Sequence, residues 1–299
     1  MKIYLHTDDL AATDNMTKAM LDRWLHGFLD GFSVMANGEA AHATCLALAS
    51  ESGRPARLMA HLNLSEGPSS ALPEQVPLLV DDEGKLKHGF ASLALMWLTG
   101  LPALRQNLLN QVKIEWRAQI SQVVELIAPR QVNGVDGHLH VQMLPFLFPI
   151  ASTLAIEFGI PAIRVSREPF HLERGWCDLF ALPVLINLLK HIVLRCCARS
   201  AEVVVRQQGL SAPDLVVGVM YSGRMTAAAA LAGVREAQRL GVDSVEVLFH
   251  VGRATNQERT RWGKRQALAD FPCAALRDVE FAELALLHER LTEVGLRGR

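Results

Sequence analysis

Two adjacent carboxylates, Asp8 and Asp9, follow the apolar run Ile3-Tyr4-Leu5, and three later stretches bring histidines to comparable places. His61 ends RLMAH, Asp136, His138 and His140 alternate in VDGHLHV, and His250 ends VEVLFH. Residues two apart in a strand face the same side, so an extended VDGHLHV turns Asp136, His138 and His140 inward together. One carboxylate with two imidazoles is a common holder of a hydrolytic divalent cation, which lowers the pKa of a water. The second aspartate can then hold or deprotonate that water, while the cation offsets the repulsion between neighbours. An Asp-Asp pair alone more often caps a helix, and a short HxH occurs by chance. Their coincidence with several histidine-bearing strand ends is what points to chemistry.

These residues need elements to position them. Strand patterns fall at 2–7, 31–35, 57–62, 132–141, 162–165, 202–206, 215–220 and 245–251, with helical patterns between them at 114–128, 146–158, 179–195 and 226–240. Thr13 and Asp14 offer capping oxygens to a helix through Met16, Met20 and Trp24. Strand alternating with helix predicts an α/β fold with a parallel sheet, and the number and spacing of strands predict a distorted (β/α) barrel forming a single domain over 1–299. The carboxyl ends of such strands are where this architecture collects its chemistry. The Pro- and Gly-containing stretch from Gly67 to Gly89 is expected to be a lid or binding loop.

Thirty basic and 31 acidic residues leave a net charge of −1, which favours neither a nucleic-acid face nor a polyanionic tail. The five cysteines are odd in number and contain no CxxC pair, fitting reduced thiols in a cytoplasmic protein rather than a disulfide framework. No signal peptide is expected, since the N-terminus runs straight into a strand. The most membrane-like stretch, Leu179 to Ala198, is interrupted by Lys190, His191 and Arg195, so a buried helix is expected rather than a transmembrane segment. A peripheral membrane contact stays open, as does a homodimer.

TDDL, HLNLSEG, VDGHLHVQMLP and LFHVG occur in that order, with MANG at Met35–Gly38, LLVDDEGKLKHGF at Leu78–Phe90, EWRAQI at Glu115–Ile120 and IRVSREP at Ile163–Pro169. Together they resemble the YdjC-like carbohydrate deacetylases, the chitooligosaccharide deacetylase family, from the first strand to about residue 255. The resemblance implies a distorted (β/α) barrel that removes acetyl groups from N-acetylated sugars with a divalent metal, Mg²⁺ or Zn²⁺. Carried over by position, it implies Asp9, His61 and His138 as metal ligands, Asp8 as general base and His250 as the acid that protonates the amine. It also implies substrate contacts from Arg164, and His140 is expected to orient substrate or water. The family's Asp-Asp-Phe-Gly reads Asp8-Asp9-Leu10-Ala11 here, its histidine-rich segment is thinned to Asp136-Gly137-His138-Leu139-His140-Val141-Gln142, and its His-Pro-Gly is His250-Val251-Gly252. None of these departures removes a presumed ligand or proton-transfer residue.

The functional expectation is a metal-dependent hydrolase acting on an N-acetylated sugar or glycolipid. Asp8 stays ionised beside the cation, and His250 carries a proton near neutral pH. The alternatives are a non-catalytic carbohydrate-binding or regulatory protein on the same fold and a glycoside hydrolase using Asp8 and Asp136 as its two carboxylates. Low aromatic content favours a pocket over a long polymer groove. Trp97, Trp116 and Trp176 read as packing residues, and His42, His88, His171, His191 and His288 as surface or packing residues. The run from Thr255 to Gln266 reads as a solvated helix, and Gly295 to Arg299 as a frayed tail.

Overall fold

The structure, a computed structural model, describes residues 1–50, 54–180, 182–263 and 265–297. Six parallel strands form one curled sheet, a half-barrel surrounded by helices. In chain order they are β1 (Lys2–Leu10), β2 (Gly31–Val34), β3 (Arg57–Leu62), β4 (Gly134–Gly137), β5 (Leu215–Val217) and β6 (Ser244–Phe249). Their spatial order is β4-β3-β2-β1-β6-β5. All ladders are parallel, so every carboxyl end lies at one end of the sheet. The strands are buried on both faces over most of their length, polar His6, Asp8 and Glu246 included.

The helices are α1 (Asp14–Leu25), α2 (Ala41–Ser50), α3 (Phe90–Thr99), α4 (Pro102–Ile127), α5 (Phe148–Glu157), α6 (Leu182–Gln208), α7 (Ala227–Arg239) and α8 (Leu276–Glu293). Thr13 caps α1, its hydroxyl accepting from the Met16 N–H as its sequence position predicts. The segment at 202–206 is not a strand but part of α6. Val203, Val204 and Val205 carry strand propensity, yet Leu194, Cys197, Ala198, Ala201 and Val205 are buried at helical spacing, and packing overrides propensity. The segment at 162–165 is extended but joins its neighbours only by single bridges at Ala162 and Ile163.

Three further expectations change. The 67–89 stretch is pinned to α4 rather than acting as a lid: the Glu115 carboxylate accepts the Ser70 and Ala71 N–H groups, and Val76, Leu79 and Leu86 are buried. Gln119, in the same motif, holds the Asn63 backbone through its N–H and C=O, fixing the chain just beyond β3. The 255–266 run is not a solvated helix, because Arg261 and Trp262 are buried and the Trp262 indole donates to Glu66. Lys264 lies outside the described residues. The tail is tied rather than frayed as far as Arg297, which forms a bidentate pair with Asp30 at 2.6 and 2.7 Å. Gly298 and Arg299 lie outside the described residues.

Candidate metal and acid–base site

Adjacent residues of a regular strand point to opposite faces, so Asp8 and Asp9 should not share a pocket. They do share one, because β1 ends in an irregularity. The register against β2 shifts between Thr7 and Leu10, and Asp9 takes the left-handed φ of 67°, with Ala11 at 76°. Such a bulge re-aims a side chain, and Asp is among the few residues that tolerate the conformation. Gly38, in the MANG segment, admits the turn: a Cβ there would sit 2.1 Å from the Ala11 carbonyl oxygen.

His138 and His140 also reach the site by a different route from strand alternation. β4 stops at Gly137, and His138–Met143 is a kinked 3-10 turn in which Leu139 and His140 have φ of 53° and 56°. Of the alternating set only Asp136 belongs to the strand, and it is sealed in the interior.

Asp9, His61 and His138 offer ligand atoms that all lie within 4.8 Å of one another. The His138 Nδ1 is 2.8 Å from Asp9 Oδ1, and the His61 Nε2 is 3.5 Å from the same oxygen. His61 Nε2 is buried with no hydrogen-bond partner, while its Nδ1 bonds Asp136 Oδ1 at 2.7 Å. A carboxylate behind Nδ1 fixes the tautomer whose Nε2 lone pair faces outward, the usual support of a metal-binding histidine. The donor set therefore fits a divalent cation. The three carboxylates around His61, led by Asp136 and Asp8, outweigh burial and push its pKa up to about 10 without one. His138 and Arg277, whose guanidinium is 3.7 Å from Asp9, overcome burial to hold the Asp9 carboxyl well below the usual range.

A second cluster, His6, Asp8 and Asp136, has the spacing of a metal site but a guanidinium already in it. Arg164 Nη1 lies 2.9 Å from both Asp8 oxygens and 2.7 Å from Asp136, and its Nε bonds Glu246 at 2.5 Å. Ser33 donates to Asp136, and Arg57 pairs with Glu246 from the other side. The expected substrate contact from Arg164 is thus corrected: the side chain is fully buried and acts by positioning Asp8 and Asp136. Asp136, equally sealed, cannot reach a substrate, which removes the two-carboxylate glycosidase arrangement.

Asp8, Asp9, His61, His138, His140 and His250 all line one cavity of about 270 Å³ at the carboxyl ends of the strands. A larger concavity of about 1060 Å³ lies at the opposite strand ends, around Lys2, Arg57 and Asn133, away from this cluster. Burial raises the Asp8 pKa against the pull of Arg164, making Asp8 a better proton acceptor than a solvated aspartate. The expectation that His250 carries a proton near neutral pH is corrected: burial, with Arg277 and Lys190 nearby, lowers its pKa to about 3. Its backbone N–H donates to buried Glu280 at 2.6 Å, and left-handed Gly252 seats the following loop against α1. His140, neutral through burial, bonds Ser166 at 2.9 Å and stands apart from the ligand triad. Leu139 completes the wall together with Asn187, Lys190, Ser222 and Phe271, the last four not singled out for the site from sequence. The signal for two of them, Asn187 and Lys190, was a polar pair three residues apart in the otherwise apolar stretch 182–190.

Fold and site define an α/β half-barrel with a carboxylate and two imidazoles clustered at its mouth, flanked by a further aspartate and histidine. The chain belongs to the YdjC-like protein family, whose profile matches residues 2–293. It is 27% identical over 225 residues to a carbohydrate deacetylase of Danio rerio, covering 75% of this chain and 66% of that protein. To a chitooligosaccharide deacetylase of Serratia marcescens it is 25% identical over 167 residues, 56% of this chain and 60% of that one. The chain thus spans about two thirds or less of the length of these relatives. A crystal structure of a candidate cellobiose-phosphate cleavage protein from Enterococcus faecalis superposes with a TM-score of 0.71 at 17% identity, covering 99% of this chain and 95% of that one.

Proposed function

We propose that the protein removes the acetyl group from an N-acetylated sugar or glycoconjugate by amide hydrolysis. The observation that carries this is the meeting of Asp9, His61 and His138 with Asp8 and His250 in one small cavity. The names of the deacetylase relatives support the substrate class. Asp9, His61 and His138 would hold a divalent cation, Mg²⁺ or Zn²⁺, which when bound polarises a carbonyl and lowers the pKa of a water. Asp8, held by Arg164 and raised in pKa by burial, takes the proton of the attacking water. His250 is neutral as it stands, so the proton that Asp8 takes from the water has to pass to its imidazole before His250 delivers it to the departing amine nitrogen. The water hydroxyl ends on the acetyl carbon as acetate, and its proton ends on the amine. His140 and Asn187 offer polar groups to orient the sugar, and the cavity suits one acetamido sugar residue better than a length of polymer.

The test is acetate release from a panel of N-acetylated sugars and glycolipids, with magnesium, zinc or EDTA. Release that depends on metal and is lost in Asp8→Asn supports the reading. Release undiminished by chelation, or none from any acetamido sugar, overturns it.

A further inference from the structure

Over its N-terminal half, helix α6 shows solvent an apolar face while it also packs on the body. Val184, His191, Leu194 and Cys197 are buried against the body, and Asn187 and Lys190 line the cavity. On the outer side Leu182, Leu185, Ile186 and Leu189 are 51–66% exposed, followed by exposed Ile192 and Val193. A surface helix ordinarily shows polar residues to solvent, and a continuous apolar stripe marks a place where something else covers it. In the turn just before the helix, Trp176 is 74% and Phe180 90% exposed. Arg195 and Arg199 continue the outer side, exposed and without an ion pair among the described residues. Ile192 belongs both to the apolar groove with Leu185 and Leu189 and to the basic hollow with Arg195 and Arg199, so the two are continuous.

An apolar stripe with aromatic residues at one end and arginines at the other has the make-up of a helix lying in a lipid headgroup layer. Among the described residues no helix is long and apolar enough to cross a membrane, so a bilayer contact by α6 would run along the surface rather than through it. A second copy of the chain is the less suited occupant. A two-fold interface pairs a patch with itself, and the two acids that flank this face in sequence are already engaged, Asp178 by the Tyr221 hydroxyl and Glu202 by Arg167. Phospholipid phosphates complement the arginines directly.

We propose that the outer face of α6 docks the protein on an anionic bilayer, with the stripe from Leu182 to Val193 among the acyl chains and Arg195 and Arg199 at the headgroup phosphates. Because Asn187 and Lys190 project from the same helix into the cavity, docking brings the site to the headgroup layer. The acetamido sugar it takes is then the headgroup of a lipid, an extension that rests on the deacetylase reading, whereas the docking does not.

The experiment is co-sedimentation of the full chain with phosphatidylcholine vesicles with and without added phosphatidylglycerol, beside analytical ultracentrifugation without lipid. The chain sediments with the anionic vesicles. Arg195→Gln with Arg199→Gln weakens this by roughly fivefold per arginine. The triple variant Leu185→Gln, Ile186→Gln, Leu189→Gln stays in the supernatant while keeping its far-ultraviolet dichroism and its acetate release from a soluble acetamido sugar. Vesicle binding without acetate release from any substrate leaves the docking standing and sinks the deacetylase reading alone. A parent chain that ignores both vesicle types, or a triple variant that sediments like the parent, overturns the docking. So does a dimeric parent that ignores lipid and becomes monomeric in the triple variant, which gives the face to a second copy.

Discussion

Asp136→Asn changes one atom and isolates the support of the metal cluster. The wild-type carboxylate accepts from His61, Arg164 and Ser33 and donates nothing. An asparagine has one accepting oxygen and an NH₂ that must face one side. If the NH₂ faces His61, it donates to Nδ1 and drives the ring proton to Nε2, blocking the ligand atom. If it faces Arg164 and Ser33, donors meet donors in a dry interior. Loss of such support behind a metal-binding histidine costs roughly 10–100-fold in affinity. Removing one partner of a buried ion pair costs about 3–5 kcal/mol, and the lower end is expected because Arg164 keeps Asp8 and Glu246. Zinc titration of metal-free protein against a chromophoric chelator, with urea unfolding alongside, reads both quantities. Zinc affinity equal to wild type in a variant that has lost stability would refute the reasoning, leaving Asp136 a structural partner of Arg164 and nothing more.

His140→Ala should keep metal and lose turnover, read by metal content beside acetate release; loss of metal would place His140 among the ligands. His250→Ala should lower turnover by roughly a hundredfold or more with metal and sugar still bound, and near-normal rates would make it a packing residue. Since the unloaded site holds His61 protonated up to a pKa of about 10, a cation must displace that proton. Calorimetry in buffers of different ionisation enthalpy at neutral pH should therefore show about one proton released per ion. His191 has its pKa lowered to about 4 from 6.5 by burial. Between those values the unfolded chain holds a proton that the native one lacks, so this contribution is full above pH 6.5 and is lost as pH falls towards 4. His191→Gln should flatten the pH dependence of the urea midpoint across that window.

Residue types and spacing made most of the site legible before its geometry. Asp8, Asp9, His61 and His250 stand at or just beyond strand ends, and those ends were placed within a few residues because short apolar runs marked β1, β3 and β6. His138 and His140 were found for a reason that does not hold in the structure: alternation presumed a long strand where the chain turns left-handed at Leu139. Nothing in the side chains of Leu139 or His140 announces that conformation. Lys190 and Asn187 stayed hidden because a helix shows its period in sequence but not which neighbour each face will meet. Arg164 was recognised by motif and its role missed, since three acids that are distant in sequence (Asp8, Asp136 and Glu246) surround it only after folding.

The left-handed backbone at Asp9 means that one residue does two jobs, and the second is invisible to the usual knockout. Alanine there deletes a ligand oxygen and at the same time puts a Cβ-bearing residue with no local hydrogen-bonding group into a conformation that Asp and Asn tolerate better. A dead Asp9→Ala protein would thus mix a coordination defect with a twisted strand end that misplaces Asp8 as well. Asparagine keeps the turn and removes the charge; glycine keeps the turn and removes the whole group. Read as a pair, those two alleles separate what the side chain binds from what the main chain must bend.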